Sequence, residues 1–107
     1  MATATTVPTI FHPWARTEAR GLGVERELDA ILERGRQTLQ GLRRLEVDLD
    51  TESDMGPAVV IRAWVDPASE NDPSHAAWWN WRIDEYGPEV ATNFVVVVLP
   101  DRGSDAR

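Results

Sequence analysis

The chain has 107 residues, enough for one hydrophobic core and one domain. A net charge of −7 argues against nonspecific binding to nucleic acid or anionic lipid. No cysteine is present, which excludes disulfides, thiolate metal sites and cysteine nucleophiles.

No apolar run approaches the roughly 20 residues needed to cross a bilayer. The opening MATATTVPTIFHPW lacks the basic and continuously apolar parts of a signal peptide, so the reading is cytoplasmic. All eleven basic residues are arginine, which fits the codon usage of a GC-rich bacterial genome better than selection for a function.

Residues 1–16 read as an irregular arm, with neither helical nor strand period. Ile10, Phe11, Pro13 and Trp14 make a short apolar patch on it. Either the arm folds back over its own domain, or it clasps a second subunit. Residues 17–100 read as a single α+β domain, and 101–107 as a polar tail.

A helix is expected over roughly Val24 to Gln40. Val24, Leu28, Ile31, Leu32, Gly35 and Leu39 recur at intervals of three and four. Gly35 weakens that helix by about 1 kcal/mol relative to alanine, and its place in the apolar stripe implies close approach by a sheet or another helix. Gly41 is a C-cap candidate.

Leu42 to Asp50 alternates, with Leu45, Val47 and Leu49 on one face and Glu46, Asp48 and Asp50 on the other. That is a strand with one wet face. A polar loop with Gly56-Pro57 leads to a second strand, Ala58 to Asp66, as an antiparallel hairpin. One face of this strand carries Val59, Ile61, Ala63 and Val65. The other carries Val60, Arg62 and Trp64.

Asp72 to Gly87, DPSHAAWWNWRIDEYG, holds three of the five tryptophans and is bracketed as a helix. Asp72 suits the N-cap, Pro73 the first turn, and Gly87-Pro88 the stop. Helical phase places Ala76, Trp79, Ile83 and Tyr86 on one face, with Trp78 and Trp81 roughly opposite. Asn93 to Leu99, NFVVVVL, is apolar on both faces, as a strand covered on both sides would be.

The order α-β-β-α-β predicts a two-layer α+β sandwich, a three-stranded sheet with helices on one face. It resembles the latter part of a ferredoxin-like fold lacking its first strand. Small accessory and oligomerisation domains share that order, among them the cytosolic domains of cation-efflux transporters. The resemblance lies in element order alone, and no residue role follows from it.

No reaction is legible. The series Asp48, Asp50, Glu52, Asp54 resembles a calcium loop, but neither register offers glycine at the sixth position and glutamate at the twelfth. It reads as a solvated strand face and an acidic loop. His12 and His75 are the only histidines, and Trp79 stands one turn after His75 where a second ligand is needed. Asp84 and Glu85 diverge around the helix as surface charges do. No nucleophile elbow and no phosphate loop are present. No cofactor and no metal are expected.

The apolar faces outnumber what one helix layer covers. The expected function is a small acidic interaction or regulatory module, in the manner of an antitoxin, immunity protein or accessory subunit, acting as a homodimer. Trp78, Trp81, Trp64, Val60, Phe11 and Trp14 are the interface candidates. The alternative is a small-ligand binding domain or minor enzyme. Its pocket would be walled by Trp64, Trp78, Trp79 and Trp81, with Arg62, His75 and Asp84 as polar groups. A third reading is an acidic nucleic-acid mimic, using Asp48, Asp50, Glu52 and Asp54 against a basic partner.

Overall fold

The computed structural model describes residues 7–50 and 58–102. Four strands form one mixed sheet in the order β1 (Thr9–Phe11), β2 (Leu42–Asp50), β3 (Ala58–Val65), β4 (Phe94–Pro100). Three helices, α1 (Ala15–Gly21), α2 (Glu25–Thr38) and α3 (Pro73–Ala91), pack with one face of that sheet into a single core. The α+β class stands as expected. The sheet has one more strand and the helix layer one more helix than the sequence pattern showed.

The extra strand is β1, inside the arm expected to be irregular. It runs parallel to β2, with Ile10 opposite Glu46. Main-chain bonds hold it: Leu45 N donates to Pro8 O (3.0 Å) and His12 N to Val47 O (2.7 Å). Arg36 of α2 also donates to Thr9 Oγ1. Residues 8–12 of the arm therefore lie along their own sheet. The three residues Thr9–Phe11 carry no readable period, and their strand character comes from the peptide groups of β2. Helix α1 has only seven residues; Ala15 and Ala19, one turn apart and fully buried, tie it to the core, and Arg16 and Arg20 pair with Glu25 of α2.

With β1 and α1 present, the order becomes β-α-α-β-β-α-β. The strand arrangement is nevertheless not ferredoxin-like. A split β-α-β places another strand between the two that a helix joins. Here each helical connection joins immediate neighbours: β1 is parallel to β2, β3 is parallel to β4, and β2 with β3 forms the antiparallel hairpin.

The regular periods are realised. Leu28, Ile31, Leu32 and Gly35 of α2 are buried, as are Leu45 and Val47 of β2 and Val59, Ile61, Ala63 and Val65 of β3. Asp72 Oδ1 accepts from Ser74 N (2.9 Å), so α3 has the expected cap. Gly87 (φ 80°) breaks the helix where the stop was expected, and Pro88 starts a last turn that reaches Ala91.

The phase of α3 is the reverse of the expectation. Trp78 is 2% exposed and belongs to the core, whereas Trp79 is 39% exposed. Aromatics surround this helix, so its own sequence hardly favours one side. Gly35 of α2 decides it. A Cβ there would lie 3.0 Å from Trp78 Cζ2, so the bare glycine makes the slot into which the indole fits. The same bare stretch leaves the Ile31 carbonyl open to a second bond, and Trp78 Nε1 donates to it at 3.0 Å. The close approach expected at Gly35 is thus made by another helix.

Candidate interaction surface

Strand alternation sends one set of side chains to the helices and the other to the opposite, open face. Register aligns the open-face residues in rows across the sheet. Arg44, Trp64 and Leu99 form one row; Ile10, Glu46, Arg62 and Val97 the next; Asp48, Val60 and Val95 the third. The centre of this face is a charged belt on β2 and β3. The β4 side is apolar, and Val95 is 38% exposed there.

The belt is internally paired. Asp48 Oδ2 accepts from Arg62 Nη1 at 3.2 Å, and His12 Nδ1 lies 3.5 Å from Asp48 Oδ1. Arg44 bonds Asp101 at 2.9 Å and reaches Glu46 at 3.5 Å, and its guanidinium stacks on Trp64, 4.6 Å from the ring centre. Ile10, His12, Glu46, Asp48 and Arg62 border a shallow cavity of about 200 Å³.

The Asp48 carboxyl is held below the usual aspartate range. The Leu49 amide at 2.7 Å is the main cause, with Arg62 and then His12 adding to it. A depressed carboxyl contributes stability that is complete above its unfolded value, roughly pH 4, and is lost as pH falls through its folded value. Asp48→Asn should therefore lower the melting temperature at neutral pH. The gap from the parent chain should close as pH drops below about 4. Parallel melting curves that keep a constant gap into acid would contradict this origin.

β4 is a sheet edge, whereas β3 lies between two partners. Asn93 O accepts from Val59 N (2.8 Å) and Asp101 N donates to Val65 O (2.7 Å), so odd-numbered peptide groups face β3. By alternation, the peptide groups of Phe94, Val96 and Val98 face outward. Among the described residues none bonds to them. The sequence marked this run as covered on both faces. The described residues bury one face, Phe94 and Val96, against the helices, and leave Val95 on the other face exposed.

The other candidate residues are dispersed. Val60 and Trp64 stand on the open face beside β4. Phe11 packs on the helix side under Arg16, whose guanidinium lies 4.6 Å from its ring centre. Trp14 is 73% exposed, with the backbone in the left-handed region at φ 77°, an outlier for so bulky a residue. Trp81 is half-buried, edge-on to Tyr86 at 5.6 Å and capped by Arg34 at 5.1 Å. Trp78 is a core residue and presents no surface.

Nor do Arg62, His75, Trp79 and Asp84 converge. Arg62 lies on the open face, and the other three belong to α3 across the sheet. Trp64 and Trp78 are likewise on opposite sides of the sheet, so no four-tryptophan pocket forms. Of the acidic series, Asp48 is committed to Arg62 and His12, while Glu52 and Asp54 fall outside the described residues.

Two features escaped the sequence reading. One is the membership of the apolar row Val95, Val97, Leu99, of which Val95 is exposed and the other two are half-buried; the pattern of NFVVVVL marked the strand as apolar on both faces, but none of these residues was among the named candidates. The other is Arg82, buried in α3, which no local pattern marks. No helix among the described residues is long and apolar enough to cross a membrane. No protein-family model matches the chain, and no curated protein or solved structure matches it significantly.

Proposed function

We propose that this protein is a small interaction module that associates with a second copy of itself through β4. The observation that supports the reading is the strand's double incompleteness. Among the described residues its outer peptide groups have no partners, and the side chains on its open face form an apolar row. A long apolar edge of this kind templates pairing with another chain. Antiparallel pairing of two β4 strands about a twofold axis completes both sets of main-chain bonds and extends each sheet into the other. It also sets the Val95, Val97, Leu99 row beside its symmetry mate, flanked by Val60 and Trp64. Face-to-face stacking of the open sheets is disfavoured, because it desolvates the belt of Arg44, Glu46, Asp48 and Arg62.

The test is Val97→Lys. An ammonium on the open side of the edge strand is a natural block to edge pairing, and it leaves the helix-side core untouched. Sedimentation across a concentration series should show a dimer for the parent chain and a monomer for the variant, with unchanged far-ultraviolet circular dichroism. A parent chain that stays monomeric at every concentration, or a variant that dimerises as before, refutes the reading.

A further inference from the structure

Arg82 is the least expected residue of the helix layer. It is 4% exposed, and among the described residues no carboxylate pairs with it. A guanidinium has five N–H donors. Among the described residues its one hydrogen bond runs from Nη1 to the Ala91 carbonyl at 2.9 Å. Nε is buried with no acceptor. The Trp79 ring lies against the guanidinium, 4.0 Å from its carbon to the ring centre, and screens it from solvent. Burial pushes the group's pKa down, yet arginine keeps its charge in proteins.

An uncompensated buried charge is costly, and native structures pair such groups or give them a ligand. A cavity of about 170 Å³ lies at this guanidinium, with Ile83, Pro88, Ala91, Thr92 and Phe94 as its remaining walls. The walls are apolar apart from the Thr92 hydroxyl, which already donates to Glu89 O (2.8 Å). The volume is below the roughly 300–1,000 Å³ of sites for drug-sized ligands.

We propose that this cavity binds a small monocarboxylate with a short aliphatic or aromatic body, its carboxylate on Arg82 and its apolar part against Ile83, Ala91 and Phe94. One guanidinium supplies one positive charge and paired donors, which match a carboxylate in charge and in fork geometry. A phosphate dianion asks for more donors and more charge than the site offers. Trp79, stacked on the guanidinium, serves to hold its plane.

The probes are sodium butyrate and sodium benzoate, with benzyl alcohol as the uncharged counterpart and inorganic phosphate as the rival anion. They are titrated into the full chain at constant ionic strength, and amide and arginine Nε–H resonances are followed by NMR. Butyrate or benzoate should produce saturable shifts at Arg82 Nε–H, Ala91 and Thr92, with no matching response to benzyl alcohol or phosphate. Arg82→Met should weaken the carboxylate by about 10-fold or more, the effect of losing a charge-assisted hydrogen bond. Ala91→Leu, which fills the cavity and keeps the arginine, should abolish the shifts. This second variant carries the test where Arg82→Met does not fold. Absence of saturation for both carboxylates, an equal response to benzyl alcohol, saturation by phosphate with the carboxylates silent, or retained affinity in a folded variant each overturns the proposal.

Discussion

Trp78→Ala should lower the free energy of unfolding by about 3–5 kcal/mol, the usual range for truncating a fully buried large aromatic. That is a large part of the roughly 5–15 kcal/mol that holds a domain together. Three losses coincide. The apolar ring leaves a void between α2 and α3, since Gly35 has no side chain to relax into it. The Ile31 carbonyl loses the indole donor at 3.0 Å. The contact that sets the phase of α3 disappears. Urea denaturation of the variant beside Trp81→Ala gives the decisive comparison. Trp81 is half-buried and stabilised on its outer side by Arg34 and Tyr86, so its truncation should cost clearly less. Equal midpoint shifts would mean that Trp78 is not the inward residue of this helix.

Gly41→Ala should cost about 2–5 kcal/mol, from two additive sources. Gly41 has φ 73°, which penalises any L side chain by roughly 1–2 kcal/mol. A Cβ there would also stand 2.4 Å from Ser69 Oγ, 2.8 Å from Ser69 Cβ and 3.2 Å from Asp66 Cβ. The turn from Asp66 to Ser69 cannot simply retreat. Asp66 N donates to Gly41 O at 2.8 Å, and Asp66 Oδ1 caps the short 3₁₀ turn by accepting from Ala68 N at 2.9 Å. Pairing Gly41→Ala with Ser69→Gly separates the sources. Removing Ser69 Cβ and Oγ should restore the steric part and leave the backbone part. A double variant no more stable than Gly41→Ala would assign the whole effect to the left-handed backbone.

The proposed self-association and the proposed carboxylate site use different surfaces. The dimer proposed above would use the outer edge and open face of β4, whereas the Arg82 cavity is bordered by α3, its last turn and Phe94 on the helix side. Val97→Lys should leave the butyrate response intact, and Arg82→Met should leave dimer formation intact. Loss of both properties in either variant would show that the two regions communicate through β4.

By itself the sequence determined α2, β2 and β3 nearly to the residue. Each buries one side, and one-sided burial writes a period into the local order of apolar residues. Leu28, Ile31 and Leu32 trace it in the helix; Leu45 and Val47, then Val59, Ile61 and Ala63, trace it in the strands. The Asp72 cap and the Gly87 break were legible because capping and positive φ depend on neighbours in the chain. The apolar character of β4 was also legible, but not which of its faces lacked cover. The tertiary structure alone decided the rest. Thr9–Phe11 is too short for a period and is a strand only because β2 supplies donors and acceptors. Trp78 turned inward because Gly35, 43 residues earlier, left a slot and a carbonyl for it. Arg82 is buried because it follows Trp78 by one helical turn, so the choice that drew the indole into the core drew the charge in with it.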